Sequence, residues 1–386
     1  MNEYQMKENL RKLREKENFR SLPVFEHRGK YAIQGGRQML NLSTNDYLGL
    51  STIDALRTEF LQDRKASELC WSSSSSRLLT GNFGAHRELE ELLAQLFQKE
   101  AALVFNSGYH ANTGIVAALA DKQTLILADK LVHASLIDGI RLSGATCIRY
   151  KHNDYHQLEN LLSERHESYE SVLILTESIF SMDGDKADLP HLCALKRKYP
   201  KVMLYVDEAH GFGVFGKQGL GCCEEEGCLQ EVDLLVGTFG KAIASEGAFV
   251  VCSQVVRDYL INTMRPFIFT TALPPVNVEW TTFVLRRLAQ FEPLRKHLQH
   301  ISRQLCEGLK ELGYPSLSES AIIPLTVGDS GQCRLLAEAL QRKGFYALPV
   351  RPPTVPEGTS RIRFSLSAAI TEPEITELIQ TLKEIL

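Results

Sequence analysis

The sequence predicts an α/β protein: a large domain built on a mostly parallel sheet, with a small α+β C-terminal domain. Two observations carry this. Short apolar runs at residues 101–105, 125–128, 172–176, 202–206 and 234–236 are too short for helices, and helical segments separate them. Runs that are apolar throughout, rather than alternating, suit strands covered on both faces. Strand–helix–strand order makes them parallel, with right-handed crossovers. Second, the pattern changes after residue 252, where Pro274-Pro275 opens a stretch of long helices with a few strands. A chain of 386 residues exceeds the size at which one core stops growing. The division expected is an N-terminal helix and hairpin segment (1–45), a large sheet domain (46–275) and a small C-terminal domain (276–386).

Residues 3–18 read as an exposed helix that packs one narrow stripe, with Leu10 and Leu13 among its few apolar positions. Gly35-Gly36 between 31–33 and 39–42 marks a hairpin turn. A polar loop, Asn45-Asp46-Tyr47-Leu48-Gly49, follows. The run Ser72-Ser73-Ser74-Ser75-Ser76-Arg77 is too short for a linker and reads as a packed small-residue loop beside a cofactor or substrate, a plain flexible loop being the alternative. Strand 101–105 leads through Asn106-Ser107-Gly108-Tyr109 into a helix, where free N–H groups and the dipole make an anion site; an ordinary serine-capped connection has the same pattern. A single long helix is expected over 277–312. Strands at 322–327 and near 346 and 362, a helix at 335–341 and a last helix from 372 complete the chain.

Composition excludes several classes. Hydrophobic residues make up 44% and charged residues 23%, ordinary for a globular chain, and the net charge of -4 does not call for nucleic acid. No apolar run is long enough to span a membrane, the N-terminus is polar and then charged, and nine scattered cysteines fit a reducing compartment. A cytoplasmic location is expected. Cys222, Cys223 and Cys228 match no zinc-ligand spacing, so no metal is expected. Gly211-Phe212-Gly213-Val214-Phe215-Gly216 fits a dinucleotide fingerprint, but a glycine-broken loop follows where a helix should open.

The chemistry centres on Lys241, at the end of Leu234-Leu235-Val236-Gly237-Thr238-Phe239-Gly240-Lys241. A lysine at the open edge of a sheet makes sense as a nucleophile forming a Schiff base. An aldehyde cofactor held there needs a carboxylate at its ring nitrogen, a donor at its phenolate, a flat cover and a phosphate site. Asp207, His210, His133 and the Ser107-Gly108-Tyr109 turn with Thr238 can be those parts.

Taken together, Asp207-Glu208-Ala209-His210-Gly211, Thr238-Phe239-Gly240-Lys241, His133-Ala134-Ser135 and Ser181-Met182-Asp183-Gly184-Asp185 resemble the α-oxoamine synthases. These are fold-type-I pyridoxal-phosphate enzymes that condense an amino acid with an acyl thioester and release CO2. The resemblance runs from about residue 41 to 369, in the family's order. It implies pyridoxal 5'-phosphate as cofactor and Lys241 as the Schiff-base lysine. Asp207 would meet the pyridine nitrogen, His133 would stack on the ring, and His210 and Ser181 would bond the phenolic oxygen. Gly108, Tyr109 and Thr238 would contact the phosphate. Arg363 matches the arginine that grips the substrate carboxylate, and Asn45 an asparagine near the substrate. Ser76 and Arg77 are further substrate candidates. The family's site lies at a homodimer interface, where Thr270 or Thr271 would reach the partner's phosphate.

Asn45-Asp46-Tyr47-Leu48-Gly49 and Val350-Arg351-Pro352-Pro353-Thr354-Val355-Pro356 are nearest the branch that joins L-alanine to a pimeloyl thioester in biotin synthesis. The sequence also departs from the family. The serine run replaces a glycine-rich loop, and Arg77 matches glycine-using branches. Arg20 is only near the N-terminal arginine that some relatives use. The alternatives are condensation of glycine with acetyl-CoA to 2-amino-3-oxobutyrate or another acyl–amino acid pair, an aminotransferase, and a non-catalytic partner subunit.

Overall fold

The computed structural model describes residues 1–15, 18–62, 64–65 and 67–386. The chain opens with α1 (Glu3–Glu15), β1 (Glu26–Arg28), β2 (Tyr31–Gln34) and β3 (Arg37–Asn41). Next come α2 (Asp54–Gln62), α3 (Gly84–Phe97), β4 (Ala101–Phe105), α4 (Gly108–Leu119), β5 (Thr124–Asp129), α5 (Ala134–Ser143) and β6 (Thr146–Tyr150). Then follow β7 (Ser171–Glu177), β8 (Val202–Asp207), β9 (Leu234–Thr238) and β10 (Ala248–Cys252). The C-terminal strands are β11 (Ile322–Gly328), β12 (Phe345–Tyr346), β13 (Pro349–Val350) and β14 (Ser360–Ser365).

Two compact units result. The larger comprises Ile53–Ser181 and Lys186–Arg295, the smaller Met1–Thr52, Met182–Asp185 and Lys296–Leu386. This differs from a division at 45 and 275. The helix Pro275–Leu285 packs on α3 inside the larger unit, so the two prolines mark a helix start and not a domain edge. The N-terminal segment joins the C-terminal one because β3 pairs in parallel with β12.

The larger unit is a seven-stranded sheet in the order β4-β10-β9-β8-β7-β5-β6. Only β10 runs antiparallel to its neighbours. β4, β5 and β10 are buried at every position, because helices cover both faces and aliphatic side chains satisfy both. On one face Ala111, Ile115 and Val116 of α4 and Leu136 and Ile140 of α5 pack on Ile126, Leu173, Tyr205 and Val236. Each fully buried aliphatic side chain stabilises by roughly 1.5–3 kcal/mol. Helices α4 and α5 approach closely at Gly139, where a Cβ would stand 2.9 Å from the Asn112 carbonyl oxygen.

The smaller unit holds the sheet β1-β2-β3-β12 and the antiparallel sheet β11-β14-β13. The hairpin turn falls at Gly35 and Gly36, both with positive φ, as two-residue hairpin turns require. Two expectations change. Helix α1 has no buried residue, and Leu10 and Leu13 are 42% and 41% exposed, so it packs no stripe in this chain. The long helix over 277–312 is two helices, Pro275–Leu285 and Glu292–Glu311, joined by a 3-10 turn at Leu288–Phe291. Pro293 disfavours a continuous helix there.

Candidate active site

The carboxyl ends of β4, β5, β7, β8 and β9 lie along one edge of the large sheet, and each delivers expected site residues. Ser107, Gly108 and Tyr109 follow β4, His133 follows β5, and Ser181 follows β7. Asp207 and His210 end β8, and Thr238 and Lys241 end β9. This is where open α/β sheets hold ligands.

The Lys241 Nζ lies 2.9 Å from the His210 Nε2. Asp207 is buried, 5% exposed, and both its oxygens accept hydrogen bonds, Oδ1 from the Ala209 N–H at 2.9 Å and Oδ2 from the Asn112 amide at 2.7 Å. Such a carboxylate is fixed in place as an acceptor. At the start of α4, Ser107 is the N-cap, its hydroxyl accepting from the His110 N–H. The N–H groups of Gly108 and Tyr109 have no acceptor within the helix. A Cβ on Gly108 would sit 3.8 Å from the Thr238 Cβ, so this N–H cluster lies against the Thr238 side chain. A phosphate fits that cradle, and a pyridine ring fits beside the Asp207 carboxylate.

His133 is exposed, its Nδ1 2.7 Å from the Ser135 hydroxyl. Its pKa is lowered, chiefly by desolvation and further by Lys241, with Asp207 opposing. The buried Glu177 stands opposite Asp207 in the β7–β8 register and accepts from the backbone N–H groups of His133 and Ser181. Desolvation first, and Asp207 second, push its pKa well above the usual carboxylate range.

The serine loop is packed. The Ser73 hydroxyl is buried and donates to the Ala272 carbonyl at 2.7 Å, Ser76 bridges to Thr271, and Asn106 donates to the Thr271 carbonyl at 2.8 Å. Ser76, Thr270 and Thr271 thus collect near the end of β4. Arg77 turns away from them to a buried carboxylate, with Nη2 2.9 Å from Glu90 and Nε 2.8 Å from Asn82. In the smaller unit Arg363, on β14, hydrogen-bonds the buried Tyr47 hydroxyl, which also reaches Asn45 at 3.4 Å. Arg20 donates to Thr354 of the 350–356 run at 3.0 Å.

Sequence reasoning gave no role to Asn112, Ser135, Tyr205 or Glu177. Asn112 lies four residues after Gly108, on the same face of α4, and Tyr205 two before Asp207, on the same face of β8. Those spacings were the available signal. Among the described residues no group of three or more His, Cys, Asp or Glu side chains could hold a metal ion, and no helix is long and apolar enough to cross a membrane.

Residues 37–382 match the model of the family described as aminotransferase class I and II. The chain belongs to that family. An 8-amino-7-oxononanoate synthase of Haemophilus ducreyi is 54% identical over 370 residues, 94% of this chain and 96% of that one. The structure of a Sphingomonas wittichii serine palmitoyltransferase superposes with a TM-score of 0.89 at 31% identity, covering 99% of this chain and 96% of that one. A Francisella tularensis 8-amino-7-oxononanoate synthase gives 0.74 at 28%, covering 90% and 98%. This chain is therefore a pyridoxal-phosphate-dependent enzyme of fold type I and an acyltransferase.

Proposed function

We propose that the chain condenses L-alanine with a pimeloyl thioester, of CoA or of a carrier protein, to give 8-amino-7-oxononanoate, CO2 and free thiol in biotin synthesis. The observation that carries the reading is the Lys241–His210 pair at 2.9 Å, delivered by neighbouring strands with the doubly bonded Asp207. The name and 54% identity of the Haemophilus ducreyi relative support the substrate pair.

The bound cofactor supplies an electron sink for charge at the amino acid's Cα. In this reading Lys241 anchors the cofactor's aldehyde carbon at rest. When its amine is free, Lys241 would take the Cα proton of alanine and later return one to the product. Asp207 would keep the ring nitrogen protonated, and His133 would cover the ring. Ser181 and His210 bond the phenolic oxygen, with His210 also donating to the thioester carbonyl as charge develops. Ser107 shapes the helix start whose Gly108 and Tyr109 N–H groups, with Thr238, hold the phosphate. Arg363 grips the alanine carboxylate beside Asn45. The enzyme works as a homodimer, with Thr270 or Thr271 at the partner's phosphate.

Glycine with acetyl-CoA drew on Arg77 as a substrate residue, and the bond from Arg77 to Glu90 removes that support. A thioester panel tests the reading. Protein with pyridoxal phosphate receives alanine, glycine or serine against acetyl-, succinyl-, pimeloyl- and palmitoyl-CoA, and thiol release is followed. Release confined to alanine with pimeloyl-CoA, and lost in Lys241→Ala, is expected. Preference for glycine with acetyl-CoA would overturn the substrate assignment.

A further inference from the structure

Behind the edge that carries Asp207 and His133, a chain of hydrogen bonds runs from buried side chains out to the His133 ring. The Tyr205 hydroxyl, fully buried, donates to the Asn112 Oδ1 at 2.6 Å. The Asn112 amide nitrogen donates one hydrogen to the Asp207 Oδ2 at 2.7 Å and the other to the Ser135 Oγ at 2.9 Å. The Ser135 Oγ is 2.7 Å from the His133 Nδ1, and the Ser135 backbone N–H reaches the same nitrogen at 3.2 Å.

Each link fixes the next. A carboxylate oxygen can only accept, so Asp207 decides which end of the Asn112 amide faces it, and the Tyr205 hydroxyl confirms the choice from the other side. Both amide hydrogens are then committed. The Ser135 hydroxyl, accepting from Asn112, has its own proton left for the His133 Nδ1. The Ser135 backbone N–H, which can only donate, makes the same demand of that nitrogen. Nδ1 is therefore an acceptor, and the neutral ring carries its proton on Nε2.

We propose that Asn112 and Ser135 are positioning residues that transmit the fixed orientation of Asp207 to His133 and hold it as the Nε2–H tautomer. His133 then presents a permanent donor on its open edge, beside whatever oxygen acceptor the substrate brings. The charged groups that act on the ring are Asp207 and Lys241, while the His133 backbone N–H reaches Glu177. The lowered pKa of His133 agrees with a ring that stays neutral. The role assigned to His133 rests on the proposed function, but the tautomer does not depend on any substrate.

Nitrogen-15 spectra of histidine-labelled full-length protein, with and without pyridoxal phosphate, read the tautomer directly, and His133→Gln assigns the resonance. The wild type should show Nε2–H alone. Ser135→Ala, which adds no volume, should lower the tautomer ratio about tenfold, the worth of one lost hydrogen bond. Tyr205→Phe should move it in the same direction by less, and serves if Ser135→Ala fails to fold. A wild-type ring protonated on Nδ1 would overturn the proposal. So would variants whose Nδ1 resonance does not move, since the backbone N–H alone would then set the tautomer. Failure of the thioester panel would leave these spectra unchanged.

Discussion

Replacing Arg77 with alanine removes a guanidinium whose side chain is only 9% exposed and which bonds the equally buried Glu90 at 2.9 Å. Stripping one partner from a buried ion pair costs about 3–5 kcal/mol, because the other charge is left without compensation. Here Glu90 keeps two donors, the Val104 N–H at 3.1 Å and Arg257 at 3.2 Å. The Arg77 Nη1 is buried without a hydrogen-bond partner among the described residues, and the substitution relieves that cost. The net loss should be about 2 kcal/mol, lowering the melting midpoint by roughly 4–8 °C. Glu90→Ala takes the shared carboxylate from both arginines, leaving Arg77 with Asn82 and Arg257 with Asp258 and the Ala102 carbonyl, and should cost about 3 kcal/mol. The double variant should lose less than the sum, as coupled residues do. Urea unfolding and steady-state thiol release measured on the same preparations decide the matter. Unchanged stability with a tenfold higher KM for the acyl thioester would refute the reasoning and return Arg77 to the substrate site.

Three other perturbations follow from the same geometry. His86 is buried, accepts the Phe83 N–H on Nδ1 and faces the Leu273 carbonyl with Nε2, and burial with the Arg77 charge brings its pKa down to about 4. Between that value and about 6.5 the unfolded chain binds more protons, so stability rises with pH there by at most about 1.4 kcal/mol per unit and is lost as the solution is acidified. His86→Gln should lose this slope, and a stability difference from wild type that stays constant over that range would sink the assignment. Gly184→Ala, at φ +74° with the new Cβ 2.1 Å from the Ile322 carbonyl oxygen, should cost about 3 kcal/mol in chemical unfolding; an unchanged midpoint would mean the 182–185 loop is free to move. Glu177→Gln should change stability by no more than about 1 kcal/mol and leave the cofactor's absorption spectrum as it is, because it replaces a neutral acid with a neutral amide. A collapse of either would show that Glu177 carries charge.

The sheet was legible because its strands are buried on both faces and therefore read as unbroken apolar runs. The exception is β6, where Thr146 and Arg149 are exposed at the sheet edge, and the run dissolves into alternation. Residues at strand ends were legible for the same reason: once the strands are found, Asp207 closes β8 and Lys241 stands three residues past β9. Side chains that act from within elements were not. Asn112 on α4 and Tyr205 on β8 look like core positions until the fold brings them within 2.6 Å of each other across 93 residues. The partner of Arg77 was not legible, because a motif position fixes a residue's type but not what it bonds. Its carboxylate, Glu90, lies thirteen residues away on the next helix.

Glu177 and Asp207 end adjacent parallel strands directly across from each other, both buried, and two negative charges that close would each raise the cost of the other. The structure breaks the tie through donors. Asp207 receives one hydrogen bond on each oxygen, from Asn112 and from the Ala209 N–H. Glu177 has one oxygen, Oε1, buried with no hydrogen-bond partner among the described residues. Desolvation first, and the Asp207 charge second, push the Glu177 carboxyl well above the usual carboxylate range, so Glu177 holds a proton. In the proposed function a protonated ring nitrogen would sit beside Asp207, and a neutral Glu177 leaves that carboxylate without a like charge at its side. The backbone N–H groups of His133 and Ser181, which point at Glu177, only partly oppose its desolvation. The neutral acid thus ties the loops after β5 and β7 together through those two N–H groups.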